Sequence, residues 1–264
     1  MSLRRNKILK IVAIIIISLS ISLGGFYFFY LSPRYTVPIL TYHDFGYGKG
    51  IKVAPENFER QMRYLKDKRY NVISLDELAE GIKKGKRFTH NAVVITMDDG
   101  YRDNFIYAYP VLKKYGFPAT IFLIANNIGT DANFLNWDEV KKMSKDNISF
   151  GGHTKNHVYL PSIENKDILR DEIAGCKEVI EKRIGIPIGY FSYPGGGFTE
   201  EVKMLVKKAG YKAACTTNRG YDILDKNDLY ELNRISIRNR DTSFSLWAKV
   251  SGYYNLFRTR KSPD

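Results

Sequence analysis

The chain has 264 residues, which is enough for one large domain or two small ones. Its 41 lysines and arginines outnumber its 28 aspartates and glutamates, so the formal net charge is +13 at pH 7. The basic side chains are mixed with acidic ones along the chain, as on ordinary solvated surfaces, so we expect no nucleic-acid partner. The charge instead suits a protein that faces an anionic lipid or cell-wall surface.

The first element is an apolar run at residues 11–31, which contains no charged side chain. Its 21 residues are enough to cross the hydrocarbon core of a bilayer as a helix. Four lysines and arginines lie within residues 1–10, so the positive-inside rule places the N-terminus in the cytoplasm. A cleaved signal peptide is the alternative, but the run ends in FYFFYL rather than in a small-residue cleavage site.

These features predict three segments. Residues 1–10 form a cytoplasmic stub, residues 11–31 a transmembrane signal-anchor helix, and residues 32–264 an extracytoplasmic domain. The expected location is the cell membrane, with a single pass. Without the four basic residues of the stub, the remaining chain has 37 basic and 28 acidic residues, a net charge of +9.

Beyond the anchor, short apolar runs alternate with segments of helical periodicity. The predicted strands are residues 37–42, 72–74, 92–97, 120–125, 148–151, 188–193, 213–216 and 232–237. The predicted helices are residues 55–68, 75–84, 102–115, 137–144, 166–184 and 199–209. Strands separated by helices indicate a parallel sheet, and the number of units favours an incomplete or distorted (β/α) barrel in one α/β domain.

Two cysteines could pair if the domain lies in an oxidising compartment. Cys176 falls in a predicted helix and Cys215 in a predicted strand, and their spacing does not suit a metal site. Free buried thiols are the interpretation that we favour, and a disulfide between the two residues is the alternative.

The sequence TMDDG at residues 96–100 directly follows an apolar strand. In a parallel α/β fold, residues just beyond the carboxyl end of a strand line the active-site face. Two adjacent carboxylates, Asp98 and Asp99, are difficult to keep ionised together, so the pair indicates a metal ion or a shared proton. The alternative is a plain loop in which an aspartate caps the next helix.

The sequence HTKNH at residues 153–157 follows another apolar strand and contains two of the four histidines in the chain. His153 and His157 are four residues apart and can present two imidazoles to one divalent metal. Two histidines and one carboxylate leave an open position for water, as in catalytic metal sites. Such ligands favour zinc, with cobalt, nickel or iron as alternatives. A pair of loop histidines without a metal is the competing interpretation.

Together, TMDDG and HTKNH resemble the Thr-Phe-Asp-Asp-Gly and His-Ser/Thr-x-x-His motifs of the NodB-homology polysaccharide deacetylases, carbohydrate esterase family 4. The resemblance extends from about residue 37 to about residue 237. It implies that Asp98 is the general base of a hydrolase. It also implies that Asp99, His153 and His157 bind one divalent metal ion.

A third segment, FSYPGGG at residues 191–197, follows a predicted strand. The resemblance implies that Tyr193, Pro194 and Gly195 form one wall of the substrate groove, with the Gly195 N–H binding the oxyanion. Glycine allows the backbone to approach a ligand closely, although an ordinary glycine-rich turn is the alternative. Many relatives carry an arginine where this chain has Ser192, so the partner of the catalytic aspartate must come from elsewhere.

Arg234, within LNRISI at the last predicted strand, is our candidate for that partner. In a closed barrel this strand could bring the guanidinium toward Asp98 and fix its carboxylate, much as outer groups orient metal ligands. We therefore expect the two groups within salt-bridge distance. A surface arginine at the end of a strand is the alternative.

His43, within LTYHDFG after the first predicted strand, is the candidate general acid. Many relatives place the acid histidine near the C-terminus, but no histidine follows His157 in this chain. LTYHDFG resembles the N-terminal Tyr-His segment of the poly-β-1,6-N-acetylglucosamine deacetylases, in which that histidine is the acid. A structural histidine is the alternative, and His90 is expected at the surface.

These assignments predict a monomeric, metal-dependent hydrolase that removes N-acetyl groups from a cell-surface polysaccharide containing N-acetylglucosamine, either an exopolysaccharide or peptidoglycan. One alternative is an O-acetyl esterase that acts on xylan-like polymers. Another is a polysaccharide-binding module that has lost activity. A glycosidase needs two carboxylates several ångströms apart, which the adjacent Asp98 and Asp99 do not provide.

Overall fold

The computed structural model describes residues 2–48, 51–217 and 228–257 of the chain. The chain divides into two compact units, Met1–Thr36 and Val37–Asp264. The outermost residues of the predicted cytoplasmic stub and of the predicted extracytoplasmic domain lie outside the described residues. The division between the units falls close to the predicted boundary between the apolar segment and the following domain.

The first unit is one long helical stretch. Helix α1 (Ser2–Gly25) continues into a π-helical segment (Phe26–Leu31) and a short 3-10 turn (Ser32–Arg34). The stretch Asn6–Arg34 is long and apolar enough to cross a membrane, and none of its apolar window is buried within the protein. A cleaved signal sequence has the same properties, so the anchor at residues 11–31 remains a prediction.

The second unit is built around a parallel sheet. Its strands are β1 (Ile39–Tyr42), β2 (Asn71–Val72), β3 (Ala92–Met97), β4 (Ala119–Leu123), β5 (Ile148–Gly152), β6 (Tyr190–Ser192), β7 (Ala213–Thr216), β8 (Leu232–Asn233) and β9 (Ile235–Ser236). Their order is β8-β7-β6-β5-β4-β3-β1-β9, with β2 beside β3. Each strand predicted from the sequence has a counterpart here, with somewhat different ends.

The last strand closes the barrel by changing its partner. β8 pairs with β7, whereas β9 pairs with β1, and only Arg234 separates β8 from β9. The sheet therefore returns to its first strand and forms a nearly closed barrel, which confirms the predicted fold class. The single strand predicted at residues 232–237 is broken at Arg234, because its two parts pair with different strands.

Helices connect the strands from β1 to β7, and one more helix follows β9 in the described part of the chain. They are α2 (Pro55–Asp67), α3 (Leu75–Lys83), α4 (Tyr109–Tyr115), α5 (Trp137–Met143), α6 (Lys166–Arg170), α7 (Cys176–Ile184), α8 (Glu200–Lys208) and α9 (Ser243–Val250). The side chains of Ser74, Asn136 and Thr199 accept backbone N–H groups at the starts of α3, α5 and α8. Helix α9 begins after a similar cap, Thr242, and has no counterpart among the helices expected from the sequence.

Two predicted helices contain π-helical segments. The helix predicted at residues 102–115 begins with the segment Asn104–Ala108 before α4. The helix predicted at residues 166–184 consists of α6 and α7 joined by the segment Asp171–Gly175. A π-helical segment widens one turn of the helix and frequently lies at a functional site.

Polar side chains collect at the carboxyl ends of the strands. β3 and β4 are buried along their whole lengths, as expected for parallel strands covered on both faces. Asp98 after β3, His153 after β5 and Ser192 at the end of β6 are buried as well. The fold thus brings the polar residues to the edge of the barrel where enzymes of this architecture carry their active sites.

Candidate active site

The structure brings the predicted site residues together at this edge of the barrel. His43 follows β1, Asp98 and Asp99 follow β3, and His153 follows β5. Nε2 of His43 lies 3.8 Å from Oδ2 of Asp98, and Nε2 of His153 lies 3.4 Å from Oδ1 of Asp99. Tyr193, Pro194 and Gly195, the predicted wall of the groove, follow β6, and Arg234 lies between β8 and β9.

Asp98 is held by a bidentate contact with Arg234. Nη1 and Nη2 of Arg234 each lie 2.6 Å from a carboxylate oxygen of Asp98, and both residues are buried. The guanidinium also donates to Oγ of Ser192 at 2.8 Å and lies 5.5 Å from the centroid of the Phe122 ring. Two parallel charge-assisted hydrogen bonds fix the orientation of a carboxylate. The expected salt-bridge contact is therefore present, and its catalytic role remains a prediction.

The charges around Asp98 keep it ionised in spite of its burial. Burial disfavours the carboxylate, but Arg234, His153 and His43 together hold the pKa of Asp98 well below its usual range. Oγ of Ser192 lies 3.4 Å from Oδ2 of Asp98, so the serine contacts both members of the ion pair. Asp98 is thus in the form that can accept a proton.

Asp99, His153 and His157 form a group that could hold a metal ion. Their ligand atoms lie within 4.8 Å of one another, and Oδ1 of Asp99 is 3.4 Å from Nε2 of each histidine. Ligands at about 2.1 Å from one tetrahedral ion are themselves about 3.4 Å apart, so this spacing fits zinc. Oδ1 of Asp99 is buried and receives no hydrogen bond from the described residues. A buried, unpaired carboxylate oxygen is costly unless a cation balances it, so these residues fit the predicted metal.

The two histidines of this group differ in burial and in their partners. His153 is buried, and its Nδ1 lies 2.7 Å from the carbonyl oxygen of Ser192. Because a carbonyl oxygen only accepts, Nδ1 donates, and Nε2 of the neutral ring is free to bind a metal. Burial lowers the pKa of His153, but Asp99 and Asp98 raise it overall. Burial and the neighbouring His153 lower the pKa of His157, which has 47% of its side-chain surface exposed.

The backbone of the site is strained at three residues that are not glycine. Asp99, Thr154 and His157 have φ angles of 73°, 62° and 56°, in the left-handed region. Each such residue costs on the order of 1–3 kcal/mol and persists only where its surroundings enforce it. Gly100 has a φ of 77°, and a Cβ there would lie 2.7 Å from Cδ2 of Leu123. The turn after β3 therefore requires a glycine at this position.

His43 lies on the Asp98 side of the site. Its Nε2 is 3.8 Å from Oδ2 of Asp98, which is beyond hydrogen-bond distance, and 22% of its side-chain surface is exposed. Its carbonyl oxygen accepts a hydrogen bond from Nδ2 of Asn104 at 2.9 Å. β1 pairs with β3, which Asp98 follows, and with β9, which Arg234 precedes, so His43 at the end of β1 lies beside the ion pair. This position suits the predicted proton donor.

The segment after β6 offers one free backbone donor. The N–H of Tyr193 donates to the carbonyl oxygen of Cys215 at 3.1 Å. The hydroxyl of Tyr193 donates to the carbonyl oxygen of Tyr230 at 3.0 Å. Pro194 is buried and has no N–H. Gly195 has a φ of 64°, and its N–H makes no hydrogen bond within the described part of the chain. This amide is the one predicted to bind the oxyanion, and it is available for that role.

The cysteines and the fourth histidine lie as expected. Cys176 and Cys215 are both buried and free, in agreement with the favoured interpretation of two thiols. His90 is exposed, with its ring centroid 6.3 Å from that of Tyr253.

Sequence reasoning missed two residues that adjoin the site. Glu172 is buried and accepts hydrogen bonds from two backbone N–H groups of the HTKNH segment. Tyr159 is 41% exposed, and its ring lies against Gly197, where a Cβ would come within 2.1 Å of it. The position of Tyr159, two residues after His157, is a signal that could have revealed it. Glu172 has no comparable signal, because it lies far from its partners in the sequence and two of its three donors are backbone N–H groups.

Known proteins are similar to this chain in sequence and in fold. The polysaccharide deacetylase family model matches residues 85–214. YxkH of Bacillus subtilis, which carries a provisional polysaccharide deacetylase name, is 34% identical over 201 residues, or 76% of this chain and 71% of YxkH. The poly-beta-1,6-N-acetyl-D-glucosamine N-deacetylase of Staphylococcus aureus is 31% identical over 198 residues, or 69% of this chain and 67% of the relative.

Solved structures of other proteins have a similar fold. The deacetylase PplD of Streptococcus pyogenes, in complex with acetate, has a TM-score of 0.76 and 27% identity, covering 81% of this chain and 97% of PplD. IcaB from Ammonifex degensii has a TM-score of 0.73 over 82% of this chain and 97% of IcaB, and with 20% identity it supports the fold alone. The chain therefore belongs to the polysaccharide deacetylase family and is a hydrolase of that class.

Proposed function

We propose that this enzyme removes N-acetyl groups from a surface polysaccharide that contains N-acetylglucosamine and that it uses one divalent metal ion, zinc in the first place. The observation that carries the proposal is the buried Oδ1 of Asp99, which has no hydrogen-bond donor among the described residues and lies 3.4 Å from two imidazole nitrogens. Beside it, Asp98 is an ionised carboxylate in a fixed orientation. A metal-binding carboxylate next to a free base suits metal-assisted hydrolysis.

Separate residues would bind the metal ion and accept the proton of the attacking water. Asp99, His153 and His157 would hold the ion, which when bound lowers the pKa of water and polarises a carbonyl group. Asp98 accepts the proton of the attacking water, because its carboxylate is ionised and held by Arg234.

The remaining steps concern the acetamide group. The N–H of Gly195 donates to the oxyanion that forms when water adds to the carbonyl carbon. His43 donates a proton to the sugar nitrogen as the carbon–nitrogen bond breaks, since an amine leaves only when it is protonated. Part of the His43 side chain is exposed, so it can reach a bound substrate. Acetate and a glucosamine residue are the products.

Tyr159 extends the groove beyond the reacting group. Its ring is 41% exposed and packs beside the glycine-rich segment, with ring atoms 3.6 Å from the position of a Cβ on Gly195. Aromatic faces offer apolar contact to the C–H faces of a sugar ring, and a tyrosine hydroxyl can form a hydrogen bond as well. We infer that Tyr159 contacts a sugar of the bound polymer.

The choice of N-acetylglucosamine polymers is supported by the relative from Staphylococcus aureus, whose name specifies poly-beta-1,6-N-acetyl-D-glucosamine. An N-terminal histidine that can protonate an amine supports the same choice. An O-acetyl esterase is the alternative, because the same base and metal ligands would attack an ester. A binding module without activity is disfavoured because the chain has every residue proposed as base, metal ligand and oxyanion donor.

The test is an acetate-release assay with the full-length protein in detergent. The substrates are poly-β-1,6-N-acetylglucosamine, peptidoglycan and O-acetylated xylan, and each is offered to enzyme that has been treated with a chelator and then reloaded with zinc. We expect release from an N-acetylated polymer that disappears with chelation and returns with zinc. Release from xylan alone, or release that survives complete removal of metal, would contradict the proposal. Asp98→Asn protein serves as the background control.

We propose in addition that residues 11–31 form an uncleaved anchor, with the catalytic domain outside the cytoplasmic membrane. The exposed apolar helix and the absence of small residues in FYFFYL support this assignment. The measurement is the intact mass of the protein recovered from the membrane fraction, which should include the N-terminal residues. A mature N-terminus near Pro33, found in the medium, would show instead that the helix is a signal peptide, and the catalytic assignment would not be affected.

A further inference from the structure

The loop that joins the two histidines is held in an unfavourable backbone conformation. Thr154 and His157 have φ angles of 62° and 56°, and neither is glycine. Strain of about 1–3 kcal/mol at each residue would be released if the loop relaxed. Because His157 is half-exposed, the barrel interior cannot hold it by packing alone. The position of this histidine relative to His153 therefore depends on what binds residues 154–156.

One side of the loop is bound by the segment that follows β4. The N–H of Ala125 donates to the carbonyl oxygen of Thr154 at 3.1 Å, and the N–H of Asn126 donates to that of Lys155 at 3.0 Å. These two bonds hold the loop through its carbonyl groups. They leave its N–H groups to find another acceptor.

That acceptor is Glu172. Its Oε2 accepts from the N–H of Lys155 at 2.9 Å and from the N–H of Asn156 at 3.0 Å. Its Oε1 accepts from Nδ2 of Asn156. Glu172 is only 4% exposed, so these bonds are shielded from water. One carboxylate thus satisfies three donors of the loop, and hydrogen bonds to a charged acceptor are the stronger kind.

The π-helical segment Asp171–Gly175 carries Glu172 and a second contact to the same loop. Oδ2 of Asp171 accepts from Nζ of Lys155 at 2.8 Å. At Gly175, a Cβ would lie 2.4 Å from Oδ1 of Asp171 and 3.2 Å from Cδ of Lys155, so a larger residue there would require these two side chains to shift. The segment thus carries two carboxylates, Asp171 and Glu172, that accept hydrogen bonds from the loop between the histidines.

We propose that Glu172 is a positioning residue for the metal centre, which holds His157 in place to share one ion with His153 and Asp99. This inference rests on the proposed metal-dependent function. Glu172 does not touch the ion or the substrate and acts through the backbone of residues 155 and 156. Its loss would let the strained loop relax, and the affinity for metal would fall by about 10- to 100-fold, as for other groups that support metal ligands.

The experiment compares three variants of the full-length protein in detergent. Glu172→Ala removes all three acceptor contacts. Glu172→Gln keeps the shape of the side chain and one acceptor oxygen, but its NH₂ group would face the side-chain NH₂ group of Asn156. Its effect on metal binding should therefore be smaller than that of Glu172→Ala. Glu178→Gln is the matched control, because this exposed glutamate lies nearby in α7. The measurements are the Kd for zinc, by competition with a chelating dye, and the visible spectrum of the cobalt-loaded protein, at a temperature where each variant is folded.

We expect the zinc Kd to rise by about 10- to 100-fold in Glu172→Ala, by less in Glu172→Gln and not at all in Glu178→Gln. The cobalt spectrum should change in the two Glu172 variants alone. An unaltered Kd and spectrum in Glu172→Ala would overturn the inference, even if its unfolding temperature fell, because a purely structural residue would behave in that way. If Glu172→Ala does not fold, a zinc Kd in Glu172→Gln equal to that of the wild-type protein would likewise overturn the inference. If the wild-type protein binds no zinc, the proposed metal-dependent function itself fails, and this result is distinguished by the wild-type titration.

Discussion

The two halves of the candidate site are held in place by different interactions. Around Asp98 the geometry depends on a buried ion pair with Arg234, at 2.6 Å through both nitrogens of the guanidinium. Around His153 and His157 it depends mainly on backbone hydrogen bonds to a loop with two left-handed residues. The ion pair of the first half is buried, whereas the second half is exposed to solvent at His157.

Because the two halves are held differently, substitutions in them should have different effects. A buried bidentate pair fixes one side chain, so its loss should disturb the base and leave the metal ligands in place. A loop held through its backbone N–H groups moves as a unit. Loss of those hydrogen bonds should therefore disturb metal binding and leave the base in place. Substitutions in each half should therefore have distinct signatures in metal content and in turnover.

The largest effect is expected in the metal half. His153→Ala combined with His157→Ala removes two of the three proposed ligands, so bound metal should fall from one ion per chain to a trace and acetate release should be undetectable. Elemental analysis of the purified protein measures the metal. Changing His90 to Ala provides the control, since this histidine is exposed. Metal that stays at one ion per chain in the double variant would show that the ligands have been assigned wrongly.

The next effect belongs to the base half. Asp98→Asn keeps the shape of the side chain but removes its ability to accept a proton, so kcat should fall by about 10²- to 10⁴-fold. Metal content should remain at one ion per chain, because Asp99 and both histidines are unchanged. Parallel measurements of acetate release and of metal content check this prediction. Loss of metal together with activity would mean that the two halves are not separable at this residue.

Arg234→Ala tests whether the ion pair orients the base. The carboxylate of Asp98 would be left buried without its partner, so kcat should fall by about 10- to 100-fold and the free energy of unfolding by about 3–5 kcal/mol. Turnover, metal content and a denaturant titration check these expectations. Arg234→Lys keeps the charge but not the bidentate geometry and should be intermediate in turnover. Arg240→Ala, on the exposed surface, is the control. Unchanged turnover in folded Arg234→Ala would mean that Asp98 is oriented by another group.

The smallest effect is expected outside both halves, at Tyr159. Tyr159→Ala removes an aromatic contact worth about 1 kcal/mol, so KM for the polymer should rise about fivefold while kcat changes little. Tyr159→Phe keeps the ring and should retain most of the affinity. Initial rates over a range of polymer concentrations separate the two constants. A fall in kcat with no change in KM would place Tyr159 with the reacting groups rather than with the groove.

Much of this arrangement could be predicted because it follows from barrel topology. TMDDG and HTKNH each follow a buried strand, and parallel strands bring their carboxyl ends to one edge. The contact between Arg234 and Asp98 was predictable because, in a closed barrel, the last strand lies beside β1 and so close to β3, which Asp98 follows, although the two residues are 136 positions apart. The first inference uses periodicity and strand order, which the sequence records directly, and the second also uses the resemblance to relatives that carry an arginine where this chain has Ser192.

The parts that escaped prediction depend on tertiary contacts. The segment Asp171–Gly175 reads as part of a regular helix, because its apolar residues keep helical spacing and nothing in them specifies a widened turn. The break at Arg234 has the same origin, since a strand pattern does not reveal that the strand changes partner. Glu172 resembles any other helical glutamate until the loop above it is known.

The position of Arg234 also has a consequence for folding. It lies where the sheet closes, between the strand that pairs with β7 and the strand that pairs with β1. All the proposed metal ligands are synthesised before this arginine, and long-range strand pairing is slow compared with local structure formation. A nascent chain could therefore assemble its ligands while Asp98 still lacks its partner. Closure of the barrel would then be the step that completes the ion pair of the proposed base, so a chain whose barrel has not closed would lack a fixed Asp98 carboxylate.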